Sequence, residues 1–243
     1  LAENYNPEAT VDDGSCYHDV VTDIDGNEYQ AVQIGDQLWM KENLKVNHYR
    51  NGDEIPTGLD NDAWANATFG AYAIYNADTY GYLYNWYAVE TGNLAPEGWH
   101  VPSDYEIKEL EMYLGMSQEE ADEEGNSRGT NEGSKLAGMD DLWIDGALQD
   151  DGDFEASGFN LLPAGYRTIY GDYANIGDSG YLWSTTENNG DHAFYRFLHY
   201  NSSKVNRVHD SILAGFSVRC VKSPYSGPTW HVSTDGSDDN DGS

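Results

Sequence analysis

Closely spaced turn signals most constrain what this chain can fold into, because they divide it into short apolar runs. Asp25-Gly26-Asn27 separates two such runs, and Gly35-Asp36 separates Val32-Gln33-Ile34 from Leu38-Trp39-Met40. Asn-Gly and Asp-Gly pairs between apolar runs are typical of β-hairpins, since glycine tolerates the positive φ that tight turns require. We therefore predict short antiparallel strands in this part of the chain, with a further turn at Asn51-Gly52.

One helix is well specified. Ser103 and Glu106 have the spacing of a capping box, and Gly115 is a stop signal. The apolar residues between them share one helical face: Ile107, Leu110 and Leu114. The acidic run at residues 117–125 either prolongs this helix or loops out, and residues 134–138 are compatible with a further short helix.

Strand patterns return at residues 181–185, 193–200 and 216–221. Many short antiparallel strands, one main helix and long loops rich in Gly, Asn and Asp predict an α+β fold. We divide the chain into a polar loop segment at residues 1–16, a patterned domain at 17–222, and a linker with the start of a further β-rich module at 223–243. Both chain ends, Leu1 and Ser243, lie inside loop-like motifs, so we expect a segment of a longer protein.

The net charge restricts the partners. Twelve Lys and Arg stand against 43 Asp and Glu, which gives a formal net charge of -31. A field of this sign repels nucleic acid and anionic membrane surfaces, and no apolar stretch approaches the roughly 20 residues that span a bilayer. The acidity is either solvated surface suited to a salty medium or a source of oxygen ligands for hard cations. A disordered acidic tail is excluded, because the chain contains 19 Tyr and 7 Trp.

Two clusters of oxygen-bearing side chains are candidate Ca²⁺ sites. The first consists of Asn4, Asn6, Asp12, Asp13 and Ser15, and the second of Asp235, Ser237, Asp238, Asp239, Asn240 and Asp241. Ca²⁺ takes about six to eight oxygen ligands, but neither cluster ends in the bidentate Glu of an EF-hand loop. Each is alternatively a solvated acidic turn. Asp23 and Asp25 look similar, although hairpin geometry explains Asp25-Gly26 better.

Sequence motifs of catalysis are missing. None of the seven histidines forms His-Glu-x-x-His or a comparable transition-metal spacing, and His100 is expected to be a hydrogen-bonded core residue. No phosphate-binding loop and no Gly-x-Ser-x-Gly elbow occurs, and Ser184 has no obvious base.

Seven longer motifs, in this order, resemble the Fibrobacter succinogenes major paralogous domain, a family of secreted or lipoprotein-borne bacterial modules. They lie at residues 23–29 (DIDGNEY), 34–44 (IGDQLWMKENL), 80–89 (YGYLYNWYAV), 98–104 (GWHVPSD), 158–167 (GFNLLPAGYR), 180–187 (GYLWSTTE) and 215–221 (GFSVRCV). The resemblance covers roughly residues 20–222. That family is similar to the formylglycine-generating enzymes, so it implies a C-type-lectin-like fold, although a fold does not imply a reaction.

The cysteines argue against the enzyme activity. Formylglycine-generating enzymes use a cysteine pair to bind copper, whereas this chain has only Cys16 and Cys220, which are not paired within the domain core. Relatives often place cysteines where this chain has Glu3 and Ala95, so each remaining cysteine lacks its habitual partner. The resemblance thus implies a disulfide between Cys16 and Cys220, with buried thiols or cross-links to other modules as alternatives. Such a bridge would contribute about 5 kcal/mol and fits an extracytoplasmic location.

The two ends resemble other modules. Residues 4–16 are similar to a short repeat of large bacterial surface proteins, reminiscent of thrombospondin type 3 calcium loops, and residues 231–242 to the entry of a parallel β-helix. C-type lectins that bind sugar through Ca²⁺ usually carry Glu-Pro-Asn or Gln-Pro-Asp, which this chain lacks. The aromatic run at residues 72–87 is expected to be mostly core. The polar loop of Glu187, Asn188, Asn189, Asp191 and His192 lies where this fold tends to place ligand contacts.

Together these observations predict a non-catalytic, calcium-stabilised structural or adhesive module of a secreted or cell-surface bacterial protein. Its partners would be neighbouring modules of the same chain or other copies of itself. The alternative is a glycan-binding domain.

Overall fold

The structure is a computed structural model that describes residues 20–222. Within that range, short strands and a few helices alternate with long loops, which confirms the α+β class. The strands are β1 Val20–Thr22, β2 Glu28–Ile34, β3 Gln37–Met40, β4 Tyr72–Ala73, β5 Leu83–Tyr84, β6 Trp99–His100, β7 Gly125–Arg128, β8 Ala164–Arg167, β9 Tyr173–Ile176, β10 Ser179–Glu187, β11 His192–His199, β12 Ser202–Ser211 and β13 Val221–Lys222. The helices are α1 Asn61–Ala65, α2 Ala77–Tyr80, α3 Trp86–Glu90, α4 Asp104–Tyr113, α5 Gln118–Asp122 and α6 Glu132–Leu136.

A five-stranded sheet in the order β1-β2-β3-β13-β6 contains the predicted hairpins. β1 and β2 pair antiparallel around Gly26 at φ +80°, and β2 and β3 pair around Gly35 at φ +60°. Both hairpin predictions are confirmed. At Asn51-Gly52 the chain turns, but only a single bridge between His48 and Glu54 flanks that turn.

A second, six-stranded sheet has the order β7-β12-β11-β10-β8-β9. Its longest strand, the ten-residue β12, was missed by the sequence patterns because most of its side chains are polar. The strand predicted at residues 216–221 is wrong. Phe216 and Ser217 each make one isolated bridge to a different element, and only Val221 and Lys222 form a strand.

Helix α4 begins and ends close to the predicted positions. The Ser103 side chain accepts from the Glu106 backbone and the Glu106 side chain accepts from the Ser103 backbone, which completes the capping box. The acidic run forms a separate helix, α5, because Ser117 and Glu120 provide a second capping box. Helix α6 begins two residues before the predicted segment.

The core lies on both faces of the six-stranded sheet. Since side chains alternate along a strand, Trp183 and Tyr195 point to one face, where Phe216 packs on them with ring centroids 4.4 and 4.5 Å away. Leu182 and Leu198 belong to the other face, in a second cluster with apolar residues of α4. Residues 72–87 contain seven aromatic side chains, and four of them are buried, as expected: Tyr72, Tyr80, Tyr84 and Trp86.

Candidate functional site

The polar loop predicted to contact ligands connects β10 to β11. Asn188, Asn189 and Asp191 are exposed, and the half-buried His192 is the first residue of β11. The backbone N–H of Asn188 donates to the carbonyl of His192 over 2.8 Å, which closes the loop. The loop displays carboxylate and amide groups to solvent beside the half-buried imidazole of His192.

Strand β12 adds a second histidine to this site, which sequence reasoning missed. His192 and His209 lie on the same face of the sheet with ring centroids 5.5 Å apart and planes at 85°. The Nδ1 atom of His192 lies 3.1 Å from Asn189 Oδ1, and the Nδ1 atom of His209 lies 2.6 Å from Glu124 Oε1. We call His192 and His209 the histidine pair. No sequence spacing reveals it, because the pairing of β12 with β11 and β7 brings these residues together.

A buried charge network lies under the same face of the sheet. It consists of two carboxylates and three guanidinium groups: Asp104, Glu111, Arg128, Arg196 and Arg207. Asp104 accepts from Arg196 over 2.7 Å and from Arg207 over 2.8 Å. Glu111 accepts from Arg196 over 2.7 Å and from Arg128 over 2.8 Å.

This network attaches helix α4 to the sheet. Burial raises the pKa of Asp104, but hydrogen bonds and charge from Arg207 and Arg196 outweigh it and hold that pKa well below its usual range. Arg207 also lies over the ring of Phe194 at 4.4 Å, and Phe194 is directly opposite His209 in the strand register. The network thus lies directly beside the histidine pair on the same face of the sheet.

Three side chains with potential nucleophilic or acid–base chemistry are engaged in the scaffold: Ser184, Cys220 and His100. Ser184 is fully buried and its hydroxyl donates to the carbonyl of Phe194 over 2.7 Å. Burial raises the pKa of the Cys220 thiol, which disfavours the reactive thiolate. His100 lies 2.6 Å from Glu106, so the predicted hydrogen bond is confirmed, but the residue is half-buried and not part of the core.

The predicted calcium clusters and Cys16 lie outside residues 20–222. Asp23 accepts from the backbone of Asp25 and Asn27 and from the hydroxyl of Tyr29, so its oxygens serve the hairpin. Asp25 accepts from the backbone of Asn47 and contacts His48. Across the described range, no group of three or more His, Cys, Asp and Glu side chains could hold a metal ion.

A small cavity of about 240 Å³ lies beside the β1–β2 turn. Val46, Leu94 and Pro96 form its apolar wall, and Arg50 lines it together with Glu97. Ligand-binding pockets usually have volumes of about 300–1,000 Å³, so this cavity is small for an organic ligand. Between residues 20 and 222, no helix is long and apolar enough to cross a membrane.

Comparison with known proteins adds one match. The family model described as the Fibrobacter succinogenes major domain matches residues 32–222. That range contains the histidine pair and the whole buried charge network. No curated protein and no solved structure matches the chain.

Proposed function

We propose that this chain, which belongs to the Fibrobacter succinogenes major domain family, is a non-catalytic structural or adhesive module of a secreted or cell-surface protein. We further propose that its α+β fold is C-type-lectin-like. Its partners would be neighbouring modules of the same chain or other copies of itself.

The observation that carries this proposal is the distribution of charge between interior and surface. Five of the six arginines are buried: Arg128, Arg167, Arg196, Arg207 and Arg219. These guanidinium groups hold helices and loops onto the sheets, for example Arg167 through the carbonyls of Leu59 and Gly171. The exterior is therefore left strongly acidic and hydrated, which favours solubility and resists anionic partners.

The engagement of reactive groups supports a role without catalysis. Ser184 and Cys220 are buried, and Asp104 and Glu111 each bind two arginines. A general acid or base must reach a substrate proton, and buried carboxylates held by two cations are poorly placed for that task. These residues instead stabilise the frame.

Calcium is the proposed stabilising ion, and the cluster of Asn4, Asn6, Asp12, Asp13 and Ser15 is its proposed site. Calorimetry in calcium and in chelator tests this, with a higher melting temperature expected in calcium. The variant Asp12→Asn/Asp13→Asn should lose the difference, whereas the control Asp140→Asn/Asp141→Asn, at an exposed acidic pair, should retain it. Equal melting temperatures in calcium and chelator would remove calcium from the proposal.

Electron microscopy of the native protein tests the structural role, because stalks or ordered polymers are expected for a structural module. Isolated particles without self-association or attachment to other modules would contradict it.

Glycan binding is the second candidate, and the exposed polar loop favours it. Glu187, Asn188, Asn189 and Asp191 present hydrogen-bonding groups beside the half-buried His192. A glycan array in calcium, with and without chelator, distinguishes the candidates. Reproducible binding that is lost in Asn189→Ala/Asp191→Ala supports a lectin, and no binding supports the structural module.

A further inference from the structure

We propose that the histidine pair is a two-histidine binding site for a divalent transition-metal ion such as Zn²⁺. The remaining coordination positions would be filled by water. This site is separate from the proposed calcium cluster and does not depend on it, because imidazole nitrogens suit Zn²⁺ whereas Ca²⁺ takes oxygen ligands.

The first argument is the separation of the two rings. Zinc binds imidazole nitrogen at about 2.0–2.1 Å, so two imidazoles at a tetrahedral angle have ring centroids about 5.2 Å apart. The centroids of His192 and His209 are 5.5 Å apart. The perpendicular arrangement of the rings is compatible with a shared ion, because each imidazole plane can turn about the metal–nitrogen bond. The strand register supplies this spacing, since Phe194 is opposite His209 and His192 is opposite Ser211.

The second argument is the state of the ring nitrogens. In each histidine the Nδ1 atom faces an oxygen acceptor, Asn189 Oδ1 for His192 and Glu124 Oε1 for His209. A neutral imidazole that donates from Nδ1 carries its lone pair on Nε2. Neither Nε2 atom has a hydrogen-bond partner among the residues that the structure describes.

The surrounding groups match those of protein metal sites. Metal-binding histidines usually donate their second N–H to a carboxylate or carbonyl, which orients the ring and increases its basicity. Glu124 and Asn189 occupy these positions. Asp191 adds negative charge next to His192, and the acidic surface concentrates cations near the site. The partly exposed rings leave room for exchangeable water ligands, with 36% of the His209 side chain exposed.

Zinc titration by calorimetry and by NMR of the imidazole nitrogens tests the site in the full chain. Excess calcium is included so that the acidic clusters are occupied. We expect zinc to shift the Nε2 resonances of both histidines together at one equivalent. His192→Ala and His209→Ala should each abolish this binding event, and Glu124→Gln should weaken it about 10- to 100-fold.

The matched control is His199→Ala. His199 lies on the same strand, is also partly exposed and has an acidic neighbour, Asp178 at 3.6 Å, but its ring is remote from the histidine pair in the register. Zinc binding should be unchanged in this variant. Circular dichroism confirms that each variant is folded. Cys16, His18 and His231 are also zinc donors by residue type. If the one-equivalent binding event persists in the His192→Ala/His209→Ala double variant, it belongs to such donors and the assignment to the histidine pair is overturned. Equal losses in His199→Ala would overturn it as well.

Discussion

Glu111→Gln removes one negative charge from the buried charge network with almost no change in side-chain shape. Glu111 is fully buried and its carboxylate accepts from both Arg128 and Arg196. The network contains three guanidinium groups and two carboxylates, so the substitution changes its formal charge from +1 to +2. Two buried guanidinium groups then share a neutral amide that can no longer balance either charge.

The expected loss follows from the depth of burial. Removing one partner of a buried ion pair destabilises a protein by about 3–5 kcal/mol, because the remaining charge stays desolvated. For a domain of about 200 residues, each kcal/mol lowers the melting temperature by about 2–4 °C. We therefore expect Glu111→Gln to melt roughly 6–20 °C below the parent protein. The loss of about 3–5 kcal/mol is a large part of the typical free energy of unfolding of about 5–15 kcal/mol.

Urea unfolding and scanning calorimetry measure this loss. The control is Glu28→Gln, which makes the same chemical change at an exposed position of β2 and should alter stability by less than about 0.5 kcal/mol. Arg128→Gln and the double variant complete a cycle. Because the double variant restores the formal charge of the network to +1, its loss should be smaller than the sum of the single losses by about 0.5–3 kcal/mol. If Glu111→Gln loses no more than Glu28→Gln, or if the losses simply add, the network does not act as argued.

Three further predictions concern pH, salt and packing. The depressed pKa of Asp104 means that its stabilisation is present above about pH 4 and is lost as pH falls lower. In urea unfolding, the free energy of unfolding of Asp104→Asn should therefore fall less steeply below about pH 4 than that of the parent protein. An equally steep fall in both proteins would contradict this. Raising sodium chloride from about 10 mM to about 1 M shortens the Debye length from about 30 to 3 Å and should raise the melting temperature of this acidic chain. A constant or falling value would count against surface repulsion. Gly133→Ala should destabilise by about 1–3 kcal/mol, although alanine normally favours a helix, because its Cβ would lie 2.5 Å from the Lys204 carbonyl. Gly152→Ala, with nothing within 4 Å, is its control, and equal stabilities would refute the steric argument.

Local features of the fold could be predicted because their determinants lie close together in the chain. The hairpin turns at Gly26 and Gly35 depend on residues within a few positions, and so does the capping box of Ser103 and Glu106. The family motifs extended the prediction from single turns and caps to the whole domain, and the family assignment is confirmed over residues 32–222. The boundary between α4 and α5 was left open, although Ser117 and Glu120 repeat the same capping signal.

Strand β12 could not be predicted because its burial contradicts its composition. Arg207 and Asn206 are buried there, where a half-buried strand would be expected to place apolar residues. Arg207 is stabilised in the interior by Asp104, 103 residues away in the chain, whose carboxylate accepts from both the Nε and Nη2 groups. The carbonyls of Asp122 and Glu123 also accept from Arg207.

The histidine pair and its contact with Glu124 also depend on residues that are distant in the chain. His192 was a candidate by its place in a polar loop, but His209 and Glu124 lie 85 residues apart and carry no shared motif. Turns and caps are set by the conformational preferences of neighbouring residues, so the sequence alone determined them. The charge network and the histidine pair depend on which strands pair and in which register, and only the tertiary structure could decide that.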